Sequence, residues 1–243
     1  MIDLVIILAT LLTSLISGVL SMAGGTILMG VYSFLLSVPA AMVLHGIAQA
    51  FSNGSRFWLY RRHIKWRVLT FYCIGALSVF SAFSFIQFVP HIGLVFILIG
   101  IFPFVALLLP KQINLNIERP STSMSSGVTV TVAQMLAGAS GPVLDIFYSK
   151  STMSKEEILG TKAVTQTVGH ALKLFYYLNI MTISAKTIPV WVPPAVITAA
   201  IVGNYVGSFF VEKITDETFK RIGRYVITLI GIVYLTKGIE ELI

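Results

Sequence analysis

The sequence predicts an all-α integral membrane protein of about ten helical segments, arranged as two inverted repeats of five segments each. Three observations lead to this prediction: the composition, the length of the apolar segments, and a weak similarity between the two halves. Of the 243 residues, 56% are hydrophobic and 11% are charged, and the mean hydropathy is +0.88. Soluble domains carry roughly 25% charged residues. A membrane β-barrel would instead alternate polar and apolar residues over segments of about ten residues.

The apolar segments differ in length, and two of them are too short for an ordinary crossing. A membrane-spanning helix needs about 20 residues. The short segments, 25–37 and 142–151, follow the helix-breaking sequences SMAGGT (21–26) and LAGASGP (136–142). Glycine and proline interrupt the backbone hydrogen-bond ladder there, so we expect short broken helices. The predicted segments are 2–21, 25–37, 40–61, 67–88, 92–109, 122–138, 142–151, 157–178, 189–211 and 222–241.

The two halves of the chain resemble each other. SMAGGTILMGVYS (21–33) matches AGASGPVLDIFYS (137–149) at a constant spacing, and the third segment matches the eighth after a shift of one residue. We therefore predict one membrane domain with a first repeat at 1–110, a cytoplasmic linker at 111–121 and a second repeat at 122–243.

The placement of basic residues predicts the orientation in the cell inner (cytoplasmic) membrane. The loop YRRHIKWR (60–67) is strongly basic and should be cytoplasmic. If successive segments cross the membrane in alternating directions, the connections 111–119, 150–157 and 212–224 also lie inside and both termini lie outside. The outside connections then contain a single basic residue, Lys186. If segments 1–2 and 6–7 are instead re-entrant hairpins, each loop stays on the same side of the membrane as it does when all segments cross. The charge of the loops therefore does not decide whether these segments cross. The N-terminal segment contains Asp3 and no basic region, which favours a retained segment over a cleaved signal peptide.

Two polar stripes interrupt the apolar sequence at matching positions of the repeats. The stretch HGIAQAFSNGSR (45–56) places four polar side chains on one helix face, and the second half carries four at the matching places. Inverted repeats with broken helices are typical of secondary transporters, which bind substrate near the membrane midplane. Amide groups and helix starts can both donate to an anion. The predicted substrate-binding residues are Gly24, Gly25, Gln49, Asn53, Gly141, Gln166 and His170. The residues predicted to attract the anion or to couple transport are His45, Arg56, Asp145, Lys162 and Lys173.

Each of these residues also has an interpretation that involves no substrate. The amides and histidines could form hydrogen bonds between helices, and the glycines could serve helix packing. Arg56 and Lys173 lie near helix ends, so we expect both to extend towards the membrane interface. Asp145 either balances the dipole of the short helix 142–151 or joins His45 or His170 in proton coupling.

The sequence argues against several other classes of protein. It contains no Walker A loop and no HExxH, GxSxG or CxxC motif, and its acidic residues are too few for a divalent-cation pathway. Cys73 is the only cysteine, so an internal disulfide is impossible. We therefore expect no enzyme activity, no catalytic residue, no cofactor, no metal and no nucleic-acid partner.

The chain resembles the sulfite exporter TauE/SafE family of membrane anion permeases. The residues that carry the resemblance are GVLSMAGGTILM (18–29), HGIAQAFSNGSRF (45–57), LAGASGPVLDIFY (136–148) and LGTKAVTQTVGHALKLFYY (159–177). Family members often have a proline after the first glycine pair, where this chain has Thr26, whereas Pro142 keeps the second-half position.

The resemblance implies a permease for small sulfur-containing anions, such as sulfite or organosulfonates, in the lipid bilayer. Its partners would be the anion and the bilayer lipids, with coupling to protons and a homodimer left open. An anion channel and a non-catalytic membrane subunit are the alternatives to a secondary transporter.

Overall fold

The computed structural model describes residues 1–20, 23–108, 115–184, 188–211 and 216–243. Within these residues the chain is all-helical, with ten α-helices, a 3-10 turn at Arg61–His63 and no strand. Predicted features at 21–22, 111–114 and 212–215, and at Lys186, lie outside the described residues. The helices are α1 (Ile2–Leu20), α2 (Ala23–Leu35), α3 (Val38–Leu59), α4 (Trp66–Ile86), α5 (Ile92–Leu108), α6 (Pro120–Ala137), α7 (Gly141–Tyr148), α8 (Lys155–Ser184), α9 (Val192–Val211) and α10 (Asp216–Glu240).

The all-helical prediction with about ten segments is confirmed, and two of the helices are longer than predicted. Helix α8 continues to Ser184 because no glycine or proline interrupts the chain between Gly169 and Pro189. Helix α10 begins at Asp216, so the polar sequence DETFKR forms its first turns. By length and composition, Trp66–Ile86 and Val192–Phe210 are the two described helices that could cross a membrane.

Helices α1 and α2 form an antiparallel hairpin. The hydroxyl groups of Thr10 and Tyr32 hydrogen-bond at 2.5 Å, and both side chains are fully buried. Nearer the turn, Gly24 lies against Thr13 and Ser17, where any side chain would overlap the backbone of α1. The short helix therefore returns along α1, and the two ends of the hairpin lie on the same side.

Helices α6 and α7 form a second hairpin. The segment before α6 is bound to the end of α7, because Ile117 N donates to Phe147 O at 3.0 Å. The Glu118 carboxylate also accepts a hydrogen bond of 2.8 Å from Thr152 N. The turn between the helices is made by Gly138, whose φ of 75° is a left-handed conformation that favours glycine. This hairpin, too, begins and ends on one side.

Helices α3 and α8 pack antiparallel at the centre of the bundle. Gly46 of α3 lies against Leu174 and the backbone of His170, whereas at the other end Tyr60 lies against Gly160. Beyond this end, Lys65 pairs with Glu157 at 2.5 Å. The two polar stripes of the sequence therefore face each other along the central pair of helices.

Small residues hold the other helix pairs close together. Gly18, Gly203 and Gly207 form the contact between α1 and α9, and Gly75 and Gly127 form the contact between α4 and α6. The contact between α5 and α10 joins Gly93 to Gly238 and Gly100 to Gly231. At such positions the helix backbones approach closely, as is typical of helices packed in membranes.

Candidate functional site

A small cavity lies between α3 and α8, at the place where the first residues of α2 and α7 meet. Its volume of about 30 Å³ is enough for two or three water molecules or a solute of a few heavy atoms. Helices α3 and α8 contribute polar side chains, and the residues at the starts of α2 and α7 contribute backbone and small side chains. The lining residues are Ser17, Gly25, Thr26, His45, Gln49, Asn53, Arg56, Ala139, Ser140, Gly141, Leu159, Lys162, Ala163, Gln166 and His170.

Two buried glutamines present free amide N–H groups at this cavity. Gln49 Oε1 accepts a hydrogen bond of 3.3 Å from Asn53, and Gln166 Oε1 accepts one of 3.1 Å from Gln134. Both carbonyl oxygens are thus occupied, whereas Nε2 of each glutamine is buried without a hydrogen-bond partner. A buried donor without an acceptor costs about 1–3 kcal/mol. The two side chains are therefore arranged to donate to a group within the cavity.

Further polar groups without partners line the same space. The hydroxyls of Thr26 and Ser140 and the Nδ1 atom of His170 are buried and form no hydrogen bond. Thr26 follows the first glycine pair, and Ser140 precedes Gly141 at the second break. Each hairpin thus adds one hydroxyl group to the cavity that Gln49 of α3 and Gln166 of α8 also line.

Behind the cavity, a chain of hydrogen bonds connects the two broken hairpins. His45 Nε2 donates to Gly25 O at 2.8 Å, and Lys173 Nζ donates to His45 Nδ1 and to Gly138 O, both at 2.7 Å. The ring of His170 lies edge-on to that of His45, with 5.3 Å between ring centroids. Lys173 is fully buried, so the prediction that it extends to the membrane interface is wrong. The acceptors His45 Nδ1 and Gly138 O hold its amine in the interior.

Arg56 is bound to polar groups from two other helices. Its Nη2 atom donates to Ser17 O at 2.8 Å and to Asn204 Oδ1 at 2.7 Å. Asn204 in turn donates to Ser55 at 3.0 Å. The oxygens of Ser17 and Asn204 hold the Nη2 group of Arg56 at the edge of the cavity, and the side chain is only partly buried, so its extension to the membrane interface stays a prediction.

Lys162 and Asp145 form an ion pair between α8 and α7. Lys162 lines the cavity, whereas Asp145 does not. No carboxylate lies within ion-pair distance of Arg56 or Lys173 in the described part of the chain. The surroundings of the cavity therefore combine one neutralised ion pair with two basic side chains, Arg56 and Lys173, that have no acidic partner among the described residues.

A model of the sulfite exporter TauE/SafE family matches residues 6–234. The chain belongs to the sulfite exporter TauE/SafE family. No curated protein and no solved structure gives a significant match to it.

Membership of the TauE/SafE family makes the chain a membrane transporter of the sulfite exporter type, not an enzyme. The described residues contain no cluster of three His, Cys, Asp or Glu side chains able to hold a metal ion. The helical apolar segments of the structure agree with a membrane location.

The structure brings nine of the twelve predicted residues to the cavity of this TauE/SafE protein. Gly24 packs on α1 instead, because its Cα faces Thr13 and Ser17. Asp145 and Lys173 stand behind the cavity, each bound to a residue that lines it. The nine lining residues are Gly25, His45, Gln49, Asn53, Arg56, Gly141, Lys162, Gln166 and His170.

Several residues of the site carry no sequence prediction. Thr26 and Ser140 are two of these residues, and their positions next to the two helix breaks are a signal in the sequence that could have indicated them. Gln134 lies one turn before the second break and orients Gln166. Ser17 and Asn204 come from helices without a polar stripe, and only the fold brings them to Arg56.

Proposed function

We propose that this protein is a secondary transporter that moves small sulfur-containing anions, such as sulfite or organosulfonates, across the cytoplasmic membrane. The anion binds in the cavity between α3 and α8, and access to it alternates between the two sides. One observation carries the proposal: the Nε2 atoms of Gln49 and Gln166 are buried donors without acceptors at a single cavity. An anionic oxygen accepts hydrogen bonds and offers none, so it satisfies both amides.

The charges around the cavity support an anion over a cation. Arg56 lines it and Lys173 lies behind it, and neither has a carboxylate within ion-pair distance among the described residues. The one acid in the vicinity, Asp145, is paired with Lys162. The positive charge of Arg56 at a cavity of low dielectric raises the local concentration of anions.

The helix packing supports two inverted repeats, α1–α5 and α6–α10, with the domain limits given above. In two repeats of five helices, α1 corresponds to α6 and α4 corresponds to α9. The α1–α9 contact therefore corresponds to the α6–α4 contact, and both contacts are present. The α1–α2 hairpin corresponds in the same way to the α6–α7 hairpin. Helices five apart run antiparallel, as α3 and α8 show at Gly46–Leu174 and Tyr60–Gly160. A two-fold axis between antiparallel helices lies in the membrane plane, which corresponds to an inverted repeat.

In this arrangement each hairpin enters the membrane from one face and returns to it. The α1–α2 hairpin enters from the outside and the α6–α7 hairpin from the cytoplasm, with both termini outside. Rocking of one repeat against the other would open the cavity first to one side and then to the other.

A thermal-shift screen of the purified protein tests whether it binds such anions. The screen compares sulfite, thiosulfate, sulfoacetate, sulfate and a simple carboxylate, because a bound ligand stabilises the native state. We expect a rise in melting temperature that increases with the concentration of at least one sulfur oxyanion. No shift with any of them contradicts the proposal.

The double variant Gln49→Ala/Gln166→Ala tests the site itself. We expect at least a tenfold loss of anion affinity with the fold retained, because two charge-assisted hydrogen bonds disappear. Gln87→Asn is the control, since this exposed amide caps α4 in a left-handed conformation that asparagine tolerates. Unchanged affinity in the double variant excludes the glutamines as the anion site.

Counterflow in proteoliposomes distinguishes a transporter from a channel. With alternating access, unlabelled sulfite on the far side accelerates the uptake of labelled sulfite, because the loaded carrier returns faster. A flux that shows no such acceleration contradicts alternating access and favours an anion channel.

A further inference from the structure

A buried basic pair, Lys173 and His45, stands directly behind the cavity. Lys173 lies near the middle of α8, and its side chain has no exposed surface although lysine is a charged residue type. Its amine is bound to His45 Nδ1 on α3 and to Gly138 O at the turn of the second hairpin. His45 lines the cavity and also binds Gly25 O, at the start of α2. The pair therefore touches the cavity and the breaks of both hairpins.

The hydrogen bonds around Lys173 match a neutral amine. A neutral amine has two N–H groups, and Lys173 Nζ has two acceptors, His45 Nδ1 and Gly138 O. An ammonium has a third N–H group, for which the described residues provide no acceptor. The His45 ring must donate from Nε2 to Gly25 O, so its neutral form leaves Nδ1 free to accept from Lys173. In this arrangement the lone pair of the Lys173 amine is available for a proton.

Burial also favours the neutral form of Lys173 when no anion is bound. A buried ammonium without a carboxylate carries a large desolvation cost. An anion in the cavity would offset that cost, because Lys173 is bound to His45, and His45 lines the cavity. The anion thus favours protonation of the pair, and by linkage the proton favours anion binding to the same extent.

We propose that Lys173 and His45 together bind one proton with each anion that enters the cavity, so that anion and proton are transported together. The inference rests on the proposed function and adds the coupling ion and its site. In the binding step a proton from water adds to the lone pair of Lys173 Nζ, and the resulting ammonium keeps its hydrogen bonds to His45 Nδ1 and Gly138 O and gains a third N–H group. On release that N–H bond breaks and the proton returns to water, while the anion itself is not altered.

The other ionisable groups around the cavity are either paired or more distant from the pair. Lys162 on α8 is neutralised by Asp145 on α7, and Arg56 on α3 is bound to Ser17 and Asn204. His170, whose Nδ1 has no partner, is the main competitor for the proton. Helices α2 and α4, which pack against α3 and α8, and α8 itself carry further ionisable side chains that form no hydrogen bond with the pair: Tyr32, Tyr72, Cys73, Tyr176 and Tyr177.

Calorimetric titration of the purified protein with sulfite tests the proposal. The titrations are run in several alkaline buffers of different ionisation enthalpy, in which free sulfite carries no proton. The dependence of the binding heat on the buffer then gives the number of protons taken up. We expect close to one proton per sulfite, and a dissociation constant that rises about tenfold per pH unit.

Two variants of Lys173 locate the proton. Lys173→Arg carries a permanent charge, so we expect sulfite to bind without proton uptake. Lys173→Met has no charge and no proton site, so we expect affinity at least tenfold lower and no uptake. His170→Gln is the matched control: whatever its affinity, it should still take up one proton per sulfite.

The possible outcomes separate the two proposals. If the wild type binds sulfite without proton uptake, the coupling inference is wrong and the anion site stands. If the wild type binds neither sulfite nor any other sulfur anion of the thermal-shift screen, the proposed function and the inference both fail. Loss of proton uptake in His170→Gln, or its persistence in either Lys173 variant, also overturns the inference. The wild-type titration decides the stoichiometry even if a variant does not fold.

Discussion

At the scale of single residues, the site is defined by which polar atoms have partners and which do not. Asn53 and Gln134 occupy the carbonyl oxygens of the two glutamines and leave their N–H groups for the cavity. The same residues at the same spacing would form ordinary interhelical hydrogen bonds if these neighbours were rotated away. Residue type therefore indicates that these side chains can form hydrogen bonds, and their neighbours decide whether the N–H group or the carbonyl oxygen of each amide faces the cavity.

The ion pair of Lys162 and Asp145 leads to a prediction about anion affinity. Asp145→Asn removes the negative charge and leaves Lys162 free at the cavity, so we expect the affinity for sulfite to rise about tenfold. Lys162→Met leaves an unpaired carboxylate nearby and should lower the affinity by a similar factor. Thermal-shift or calorimetric titration of both variants measures the change.

The double variant Asp145→Asn/Lys162→Met completes the cycle and serves as the control. It removes both charges, so its affinity should lie close to that of the wild type. A loss in Asp145→Asn as large as that in Lys162→Met would mean that the carboxylate has a role other than charge balance.

At the scale of secondary-structure elements, glycines decide how closely the helices approach. A Cβ atom at Gly127 would lie against the Tyr72 backbone and 3.0 Å from Ala76 N, whereas one at Gly54 would meet nothing within 4 Å. Both glycines lie inside helices, so helix propensity alone favours alanine at both. The difference between the two sites comes only from packing.

We therefore expect Gly127→Ala and Gly54→Ala to have opposite effects on stability. Gly127→Ala forces α4 and α6 apart and should cost about 1–3 kcal/mol. Gly54→Ala should be neutral or stabilising by up to about 1 kcal/mol. The measurement is the melting temperature of each variant in the same detergent. A Gly127→Ala variant as stable as Gly54→Ala would contradict the close contact between α4 and α6.

A second prediction at this scale concerns Glu118, which joins the linker to the loop after α7. The backbone N–H of Thr152, together with nearby hydroxyls, holds the pKa of Glu118 below its ordinary value of 4.5. Because this pKa is lowered in the folded state, the stabilisation is present above the ordinary pKa and is lost as the pH falls through the folded value. We expect Glu118→Gln to melt below the wild type at neutral pH, with a difference that disappears in acid. A difference independent of pH would mean that the charge of Glu118 does not contribute.

At the scale of the whole molecule, the contacts between loops group the connections onto two faces. Lys65 is bound to Glu157, and Glu118 to Thr152, so the segments 60–67, 115–119 and 150–157 lie on one face. Tyr176 donates to Phe88 O, which places the far end of α8 beside the connection that follows α4. This grouping fits the orientation proposed from the basic residues.

Cysteine labelling tests that orientation. In a Cys73→Ser background, we expect Arg62→Cys and Thr152→Cys to react with an impermeant maleimide only when it is supplied from the cytoplasmic side. His91→Cys should react only from the opposite side. Cys73→Ser without a new cysteine is the blank. Labelling of positions 62 and 152 from opposite sides would contradict two hairpins that return to the face they enter.

The sequence by itself determined the membrane class, the number of helices, the two helix breaks and nine of the residues that line the cavity. These features depend on local hydropathy, on the backbone preferences of glycine and proline, and on periodicity along single helices, all of which can be read without partners. The tertiary structure alone decided that α2 and α7 return along α1 and α6, because the charge of the loops is the same for a hairpin and for a crossing. It also decided that Lys173 is buried between His45 and Gly138 O, because the environment of this lysine depends on residues more than thirty positions away in the chain.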